Sequence, residues 1–287
     1  MSDATGPVLI FGKNGQVGSA LVSRLGNRPN VISLSREDAD FTRPSQAAEA
    51  IRSLKPSVIL NAAAYTAVDA AETDRETAFR VNAEAPSAIA MEAEKCGATV
   101  IHFSTDYVFS GDAAKPYGEE DRTGPVNVYG ESKLAGEQAT LDTCTRHIVL
   151  RTSWVYAAEG KNFLNAIRRL AVSENRLSVV VDQTGSPTWA GAIANATIKI
   201  LDQLSSQECW GLYHLSAAGQ TTWADFAHAI CEKCAEPPPE IERITTEEYG
   251  LPAERPRYTV LDNRKLKKAF GIQMPDWQNQ LDQCLTE

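Results

Sequence analysis

The sequence predicts an α/β fold in which a doubly wound parallel sheet is followed by a smaller α/β domain. Short, wholly apolar runs recur through the first half of the chain, as strands buried on both faces require. Longer amphipathic stretches separate these runs, so each strand is expected to return to the sheet through a helix. A glycine-rich turn links the first apolar run to the first amphipathic stretch, which is the arrangement of a Rossmann-type domain.

The first half contains five predicted strands and four predicted helices. The strands are Val8–Phe11, Val31–Leu34, Val58–Leu60, Val100–Phe103 and Ile148–Leu150. The helices are Gln16–Leu25, Ser45–Leu54, Asp74–Cys96 and Val128–Leu141. The third helix is expected to be interrupted near Pro86, because proline has no N–H for a helical hydrogen bond. The alternation indicates parallel strands with right-handed crossovers and helices on both faces of the sheet.

After Arg151 the alternation becomes less regular. The predicted helices are Phe163–Ser173, Ala190–Leu204, Trp223–Cys234, Asn263–Phe270 and Trp277–Leu285, and the predicted strands are Ser178–Asp182 and Leu212–Leu215. Pro237–Pro239 are expected to end a helix and to begin an irregular stretch toward Pro256. We expect residues 1–151, with parts of 190–222, to form a dinucleotide-binding domain. Residues 152–287 are expected to form mainly a substrate-binding domain interleaved with it, and the site should lie at the carboxyl ends of the strands.

Composition narrows the class of protein. The 287 residues are 43% hydrophobic and 23% charged, with a formal net charge of −9, which argues against nucleic acid or anionic membranes as general partners. No apolar run approaches the roughly 20 residues of a membrane helix, and Met1–Gly6 lack the features of a secretory signal, so a cytoplasmic protein is expected. The six cysteines are scattered. The single Cys-x-x-Cys, at Cys231 and Cys234, lies in a predicted helix, so we expect reduced thiols and no metal site.

The glycine-rich turn is the first candidate binding site. Gly12, Gly15 and Gly18 follow the first strand and open the first helix with the spacing G-x-x-G-x-x-G. Glycine lets the backbone approach a pyrophosphate closely, and the helix N-terminus stabilises its charge. The turn therefore predicts a dinucleotide site, although a glycine triplet also occurs in ordinary loops.

The end of the second strand bears on the choice of cofactor. Ser35 and Arg36 stand where an acidic residue would bind the adenosine ribose hydroxyls, and an arginine here suits a 2′-phosphate instead. The sequence therefore favours NADPH, with NADH as an alternative. The alternative interpretation is that Arg36 is a solvated surface side chain without a role in cofactor binding.

Three further residues form a candidate catalytic set. Tyr129 and Lys133 are four residues apart and so share one face of a helix. A neighbouring ammonium stabilises a phenolate and would lower the pKa of the tyrosine. Thr105 lies just beyond the fourth strand, where its hydroxyl could hydrogen-bond the same carbonyl oxygen as the tyrosine. Tyr-x-x-x-Lys alone is common on surface helices, so its significance depends on the other features.

In this order, the glycine turn, Ser104-Thr105 and the Tyr129–Lys133 pair resemble the extended branch of the short-chain dehydrogenase/reductase superfamily. Longer segments narrow the resemblance to the dTDP-4-dehydrorhamnose reductase family. These segments are Phe11–Gly18, Asn61–Asp69, Ser104–Phe109, Asn127–Gly130, Lys133–Glu137, Arg151–Tyr156, Asp182–Thr188 and Arg255-Pro256. The resemblance implies NADPH-dependent reduction of the C4 ketone of dTDP-4-dehydro-L-rhamnose to dTDP-L-rhamnose, a precursor for cell-surface polysaccharides such as lipopolysaccharide.

The resemblance also implies a role for individual residues. Tyr129 would donate the proton, Lys133 would lower its pKa and hold the nicotinamide ribose, and Thr105 would orient the ketone. The implied sugar contacts are Val68, Asp106 and Trp154. The implied cofactor contacts are Gly15, Gln16 and Val17 at the pyrophosphate, Asp40 and Phe41 at the adenine, and Ala64, Tyr65 and Thr66 along the middle of the cofactor. The full predicted cofactor site also includes Gly12, Gly18, Ser35, Arg36, Ala62 and Ala63. Trp154 and Phe41 could instead be core residues.

The chain departs from the family at two positions linked to metal binding, and two alternative functions stay open. Some members have glutamates where this chain has Ala20 and Gly191, and those carboxylates contribute to an intersubunit magnesium site, so magnesium is doubtful here and a monomer or weak homodimer is expected. One alternative is another nucleotide-sugar enzyme of this fold, such as an epimerase or a dehydratase, although Tyr107 stands where a dehydratase has a second carboxylate. The other is a non-catalytic NADP-binding regulatory protein.

Overall fold

The computed structural model describes residues 6–26, 28–204 and 209–287. Within these residues the strands are β1 Val8–Phe11, β2 Val31–Leu34, β3 Val58–Asn61, β4 Thr99–Thr105, β5 His147–Thr152, β6 Val155–Tyr156, β7 Arg176–Val180, β8 Thr184–Gly185, β9 Thr188–Trp189, β10 Gly211–His214, β11 Thr221–Thr222 and β12 Glu240–Ile244. The helices are α1 Gln16–Leu25, α2 Pro44–Leu54, α3 Val68–Ala71, α4 Arg75–Phe79, α5 Ala85–Cys96, α6 Val128–Thr143, α7 Phe163–Ser173, α8 Ala190–Leu201, α9 Trp223–Cys234, α10 Thr246–Tyr249, α11 Arg264–Phe270 and α12 Trp277–Thr286.

A six-stranded parallel sheet forms the centre of the molecule, in the order β2-β1-β3-β4-β5-β10. The predicted doubly wound α/β fold and its five early strands are confirmed. The sixth strand comes from the second half of the chain, because β10 pairs with β5 through Gly211 opposite Ile148. The order reverses between β1 and β3, which places a ligand crevice at the carboxyl ends of these strands.

Both faces of the sheet are covered by helices. Ile10 of β1 packs in one core cluster with residues of α1 and α8, whereas its neighbours Leu9 and Phe11 pack in another with residues of α2 and α5. Successive side chains of a strand point to opposite faces, so a strand buried on both must be apolar throughout. No helix in the described ranges has the length and apolar character needed to cross a bilayer.

The helical run that follows β3 contains a π-helical turn. Residues Arg80–Glu84 form this turn between α4 and α5, directly before Pro86, so the predicted interruption near Pro86 is confirmed. A π-turn changes the register of the helix and is frequent at functional sites. Here it places Asn82 in the interior, where the side chain is 1% exposed.

The second half of the chain adds small sheets beside the main one. β7 pairs in parallel with β12, β6 pairs with β9, and β8 pairs with β11. The irregular stretch predicted after Pro237–Pro239 is wrong in part, since it contains both β12 and α10. The sequence of β12, Glu-Ile-Glu-Arg-Ile, has no continuous apolar run, and it becomes a strand through its pairing with β7. The helix predicted to reach Leu204 ends at Leu201, and the strand predicted over Ser178–Asp182 is displaced to Arg176–Val180.

Candidate active site

A cleft of about 1360 Å³ lies across the carboxyl ends of the central strands. Nearly every residue predicted to contact cofactor or substrate lines it, from Gly12 at one end to Trp154 at the other. The exception is Gly18, which is buried in α1. Residues that the sequence reasoning missed also line the cleft, among them Thr152, Lys161, Asn162 and Trp223. Thr152 ends β5 within the segment Arg151–Tyr156 but was given no role, and the other three come from a loop and from helix starts of the second half.

The glycine turn forms a tight cradle at the start of α1. Gly12 has φ +83°, and a Cβ there would lie 2.7 Å from the backbone nitrogen of Ala63. A Cβ on Gly18 would lie 2.0 Å from the carbonyl oxygen of Gly12, so glycine is needed there for the packing of the helix on the turn, and the cofactor contact of Gly18 stays a prediction. Gly15 caps α1 without a side chain. The first amides of the helix therefore face the cleft, as an anion site requires.

The end of the cleft that is predicted to bind adenosine lies beyond β2. Ser35 donates its backbone N–H and its hydroxyl to Asp38, at 2.8 and 2.9 Å. Arg36 is 77% exposed and its Nε lies 3.4 Å from Asp40 Oδ1. Phe41 packs edge-on against Phe11, with ring centroids 5.3 Å apart, so it is both core and cleft wall.

Asn82 connects the middle of the cleft to helix α6. Its Oδ1 accepts from the Tyr65 N–H at 2.9 Å, and its Nδ2 donates to the Tyr65 carbonyl at 2.9 Å and to the Ser132 hydroxyl at 3.0 Å. One amide thus holds the loop after β3 against the helix that carries Tyr129 and Lys133. The sequence analysis did not single out Asn82, because its position depends on the π-helical turn.

The three predicted catalytic side chains meet in the cleft. Thr105 ends β4, and its hydroxyl donates to Asp106 at 3.1 Å. Tyr129 lies in the first turn of α6, which Asn127 caps by accepting from the Gly130 N–H at 2.8 Å. One turn further along α6, Lys133 Nζ donates to the carbonyl of Phe103, also on β4, at 2.6 Å.

Burial dominates the electrostatics of this set. Burial raises the pKa of Tyr129 to about 12, although hydrogen bonding to Thr105 opposes the rise. Burial lowers the pKa of Lys133 to about 8, and the charge of Glu137 limits the fall. The role expected of Lys133, to lower the pKa of Tyr129, stays a prediction, and burial is the largest influence on that pKa here. A phenol with a raised pKa is protonated at neutral pH, which is the state a proton donor needs.

A buried ion pair supports the catalytic strand from behind. Arg151 donates to Glu137 through Nε at 3.0 Å and Nη2 at 2.5 Å, and both residues are 2% exposed. The hydroxyl of Ser104 donates to the same carboxylate at 2.8 Å. His214 lies 3.4 Å from Arg151, and burial together with the guanidinium lowers its pKa to about 3, so it is neutral. The pair therefore fixes the strand end between Phe103 and Thr105.

The opposite end of the cleft carries aromatic rings and a buried acid. Trp154 has φ +46°, which is strained for a bulky residue, and its ring stacks on Trp223 at 3.6 Å and 4°. Asp106 accepts from the Ser153 hydroxyl at 2.8 Å, and burial raises its pKa to about 6. A flat apolar surface beside a polar group is the kind of lining that binds a sugar ring.

The positions linked to an intersubunit magnesium site have other neighbours here. A Cβ on Gly191 would lie 2.2 Å from the Trp189 ring and 2.5 Å from the Arg24 guanidinium, whose own Nη2 pairs with Glu287 at 2.9 Å. A longer side chain at Gly191 would require these groups to move. Among the described residues, no group of three or more histidine, cysteine, aspartate or glutamate side chains is arranged to hold a metal ion.

A phenol, an ammonium and a hydroxyl that meet over a dinucleotide cleft are the working groups of the extended short-chain dehydrogenases/reductases, and the chain is an oxidoreductase of that class. It belongs to the RmlD substrate binding domain family, whose profile matches residues 6–287. The chain is 42% identical to the dTDP-4-dehydrorhamnose reductase of Burkholderia thailandensis, over 98% of both chains. It is also 42% identical to the Escherichia coli protein of that name, over 98% of this chain and 97% of the relative.

Solved structures agree with this family. The dTDP-4-dehydrorhamnose reductase of Bacillus anthracis, in complex with NADP, superposes with a TM-score of 0.92 at 33% identity, covering 98% of this chain and 99% of that one. The Bordetella bronchiseptica enzyme WbmH, in complex with NAD⁺, shares the fold at a TM-score of 0.80 and 17% identity, covering 98% of each chain. The resemblance recognised in the sequence is confirmed.

Proposed function

We propose that this protein reduces the C4 ketone of dTDP-4-dehydro-L-rhamnose to dTDP-L-rhamnose with NADPH. The observation that carries the proposal is the convergence of Thr105, Tyr129 and Lys133 in a cleft whose other end is a glycine cradle. The 42% identity to reductases of this name, over nearly the whole chain, supports the substrate. The NADP complex of the Bacillus anthracis reductase supports the cofactor.

The residues present fit a dinucleotide. Gly12 and the uncapped start of α1 leave room and N–H groups for the pyrophosphate, and the reduced nicotinamide, when bound, supplies the hydride. Lys133, whose ammonium donates to the Phe103 carbonyl, would hold the nicotinamide ribose. The backbone of Tyr65, held by Asn82, would border the middle of the cofactor.

The proton is proposed to come from Tyr129. Its raised pKa keeps the phenol protonated at neutral pH, and Thr105 lies beside it to hydrogen-bond the same ketone oxygen. As the ketone oxygen gains electron density, the phenol gives up its proton and the ammonium of Lys133 stabilises the phenolate that remains. Asp106 and the Trp154–Trp223 pair would hold the sugar.

Three less specific expectations belong to the same proposal. The division into a dinucleotide-binding part, residues 1–151 with parts of 190–222, and a substrate-binding part within 152–287 accounts for a cleft lined by both. A monomer or a weak homodimer without magnesium is proposed because this chain has Ala20 and Gly191 where some family members have glutamates. We propose that the enzyme acts in the cytoplasm.

The proposal is tested by mixing purified protein, NADPH and dTDP-4-dehydro-L-rhamnose and following the cofactor absorbance. Tyr129→Phe should lower kcat by about 10²–10⁴-fold while NADPH still binds. Tyr213→Phe is the matched control, because Tyr213 lies on β10 and does not line the cleft, its hydroxyl donates to the Cys209 carbonyl at 3.1 Å, and the chemical change is identical. Wild-type turnover in Tyr129→Phe would remove Tyr129 from the mechanism, and no NADPH consumption by the wild type would refute the reductase.

A further inference from the structure

Two cations near the end of β2, Lys13 and Arg36, are each paired with an acid at the place where adenosine ribose is recognised in this fold. Lys13 Nζ lies 3.0 Å from Asp38 Oδ2, and Arg36 Nε lies 3.4 Å from Asp40 Oδ1. Lys13 reaches this place because its N–H and that of Gly12 both donate to the carbonyl of Leu34, the last residue of β2. The cations that could neutralise a 2′-phosphate are therefore already neutralised by carboxylates.

Asp38 has the denser set of contacts. One of its oxygens, Oδ2, accepts from the Ser35 N–H at 2.8 Å, from the Ser35 hydroxyl at 2.9 Å and from Lys13 Nζ at 3.0 Å. Three donors on one anionic oxygen are what a phosphate oxygen also needs. The side chains of Asp38 and Lys13 are 43% and 33% exposed, so the carboxylate can turn into solvent without disturbing the core.

We propose that Asp38 sets the cofactor preference of this enzyme. Its carboxylate occupies the Ser35 and Lys13 donors that a 2′-phosphate requires, and it accepts a hydrogen bond from the ribose 2′-hydroxyl of a cofactor without that phosphate. This rests on the reductase function proposed above. A 2′-phosphate has to displace the carboxylate, because two anions cannot share the same donors without strong repulsion. A 2′-hydroxyl leaves the carboxylate in place and donates to it, so Asp38 opposes NADPH and supports NADH.

The hydrogen bonds at Asp38 make the competition effective over the whole working range of pH. The bonds from Ser35 and Lys13 lower the pKa of Asp38 to about 2. The carboxylate is therefore ionised around neutral pH, so any change of the preference with pH there should come from the 2′-phosphate and not from Asp38.

The test compares 2′-phospho-ADP-ribose with ADP-ribose by isothermal titration calorimetry, since these probes differ only in the 2′-phosphate and need no catalysis. Asp38→Asn keeps an oxygen acceptor for Ser35 and nearly the same shape, but it removes the charge. We expect the ratio of affinities to move toward the phosphorylated probe by at least tenfold, which is about 1.4 kcal/mol. Lys13→Gln should move the ratio in the opposite direction. The kcat/KM ratio for NADPH over NADH should follow in each variant.

Asp202→Asn is the matched control. Asp202 pairs with Arg28 at 2.8 Å on the exposed surface, and its substitution makes the same change in net charge as Asp38→Asn. The ratio of affinities for the two probes in this variant should therefore equal that of the wild type. An unchanged ratio in Asp38→Asn, or an equal loss of both probes, would overturn the role of Asp38 and leave the reductase intact. Failure of the wild type to bind either probe would instead count against the dinucleotide site itself.

Discussion

Replacing Glu137 with glutamine should destabilise the protein strongly and lower the pKa of Lys133. Glu137 and Arg151 are each 2% exposed and are joined by two hydrogen bonds of 2.5 and 3.0 Å. Glutamine keeps the shape and one acceptor oxygen, so the variant isolates the loss of charge. It leaves the guanidinium of Arg151 buried without a counter-ion, and breaking a buried pair in this way costs about 3–5 kcal/mol.

The magnitude can be compared with that of an exposed pair in the same chain. Arg28 and Asp202 form an ion pair of 2.8 Å with side chains 45% and 55% exposed, so Asp202→Asn should cost no more than about 1 kcal/mol. At roughly 2 °C per kcal/mol for a chain of this size, Glu137→Gln should lower the Tm by about 6–10 °C and Asp202→Asn by about 2 °C or less.

Differential scanning calorimetry measures both variants, and NADPH titrations at several pH values provide the second measurement. The charge of Glu137 raises the pKa of Lys133 against the effect of burial, so its removal should lower that pKa further. NADPH affinity should then fall at a lower pH than in the wild type. Equal Tm values for Glu137→Gln and Asp202→Asn would show that the buried pair contributes little and would refute this reasoning.

Three further outcomes are expected. Asn82→Ala should raise the KM for NADPH, because it removes the hydrogen bonds that hold the backbone of Tyr65. Asn263→Ala removes similar hydrogen bonds to the backbone of Ser216 outside the cleft, so it should lower the Tm comparably but leave that KM unchanged. Equal KM effects in the two variants would contradict a positioning role for Asn82. The affinity of the wild type for NADPH should fall as pH rises through about 8, since Lys133 then loses its proton. The variant Lys133→Met should bind NADPH weakly and show no such pH dependence. A pH dependence that persists in this variant would point to another group. Asp106 has a folded-state pKa of about 6, above its unfolded value, so its contribution to stability is present below about pH 4 and is lost by about pH 6. This contribution amounts to roughly 3 kcal/mol, at about 1.4 kcal/mol per pKa unit. The Tm of Asp106→Asn should therefore decline less than that of the wild type across this window, and parallel curves would argue against the raised pKa.

Local patterns in the sequence were enough for the main sheet and the ends of the cleft. Apolar runs such as Val8–Phe11 identify strands buried on both faces, because no polar side chain fits either side. The glycine turn and the spacing of Tyr129 and Lys133 identify the site, because backbone approach and helical periodicity depend on residues close in sequence. The same patterns failed for Glu240–Ile244, whose strand conformation depends on pairing with Arg176–Val180.

Long-range packing decided the features that local patterns do not contain. Asn82 reaches Tyr65 and Ser132 because a π-helical turn rotates it inward, and Glu137 meets Arg151 because α6 lies over the end of β5. The protonation states of Tyr129, Lys133 and Asp106 likewise follow from burial, which depends on every element packed around the cleft. A sequence specifies which groups are available, whereas their distances and their desolvation arise only when distant segments come together.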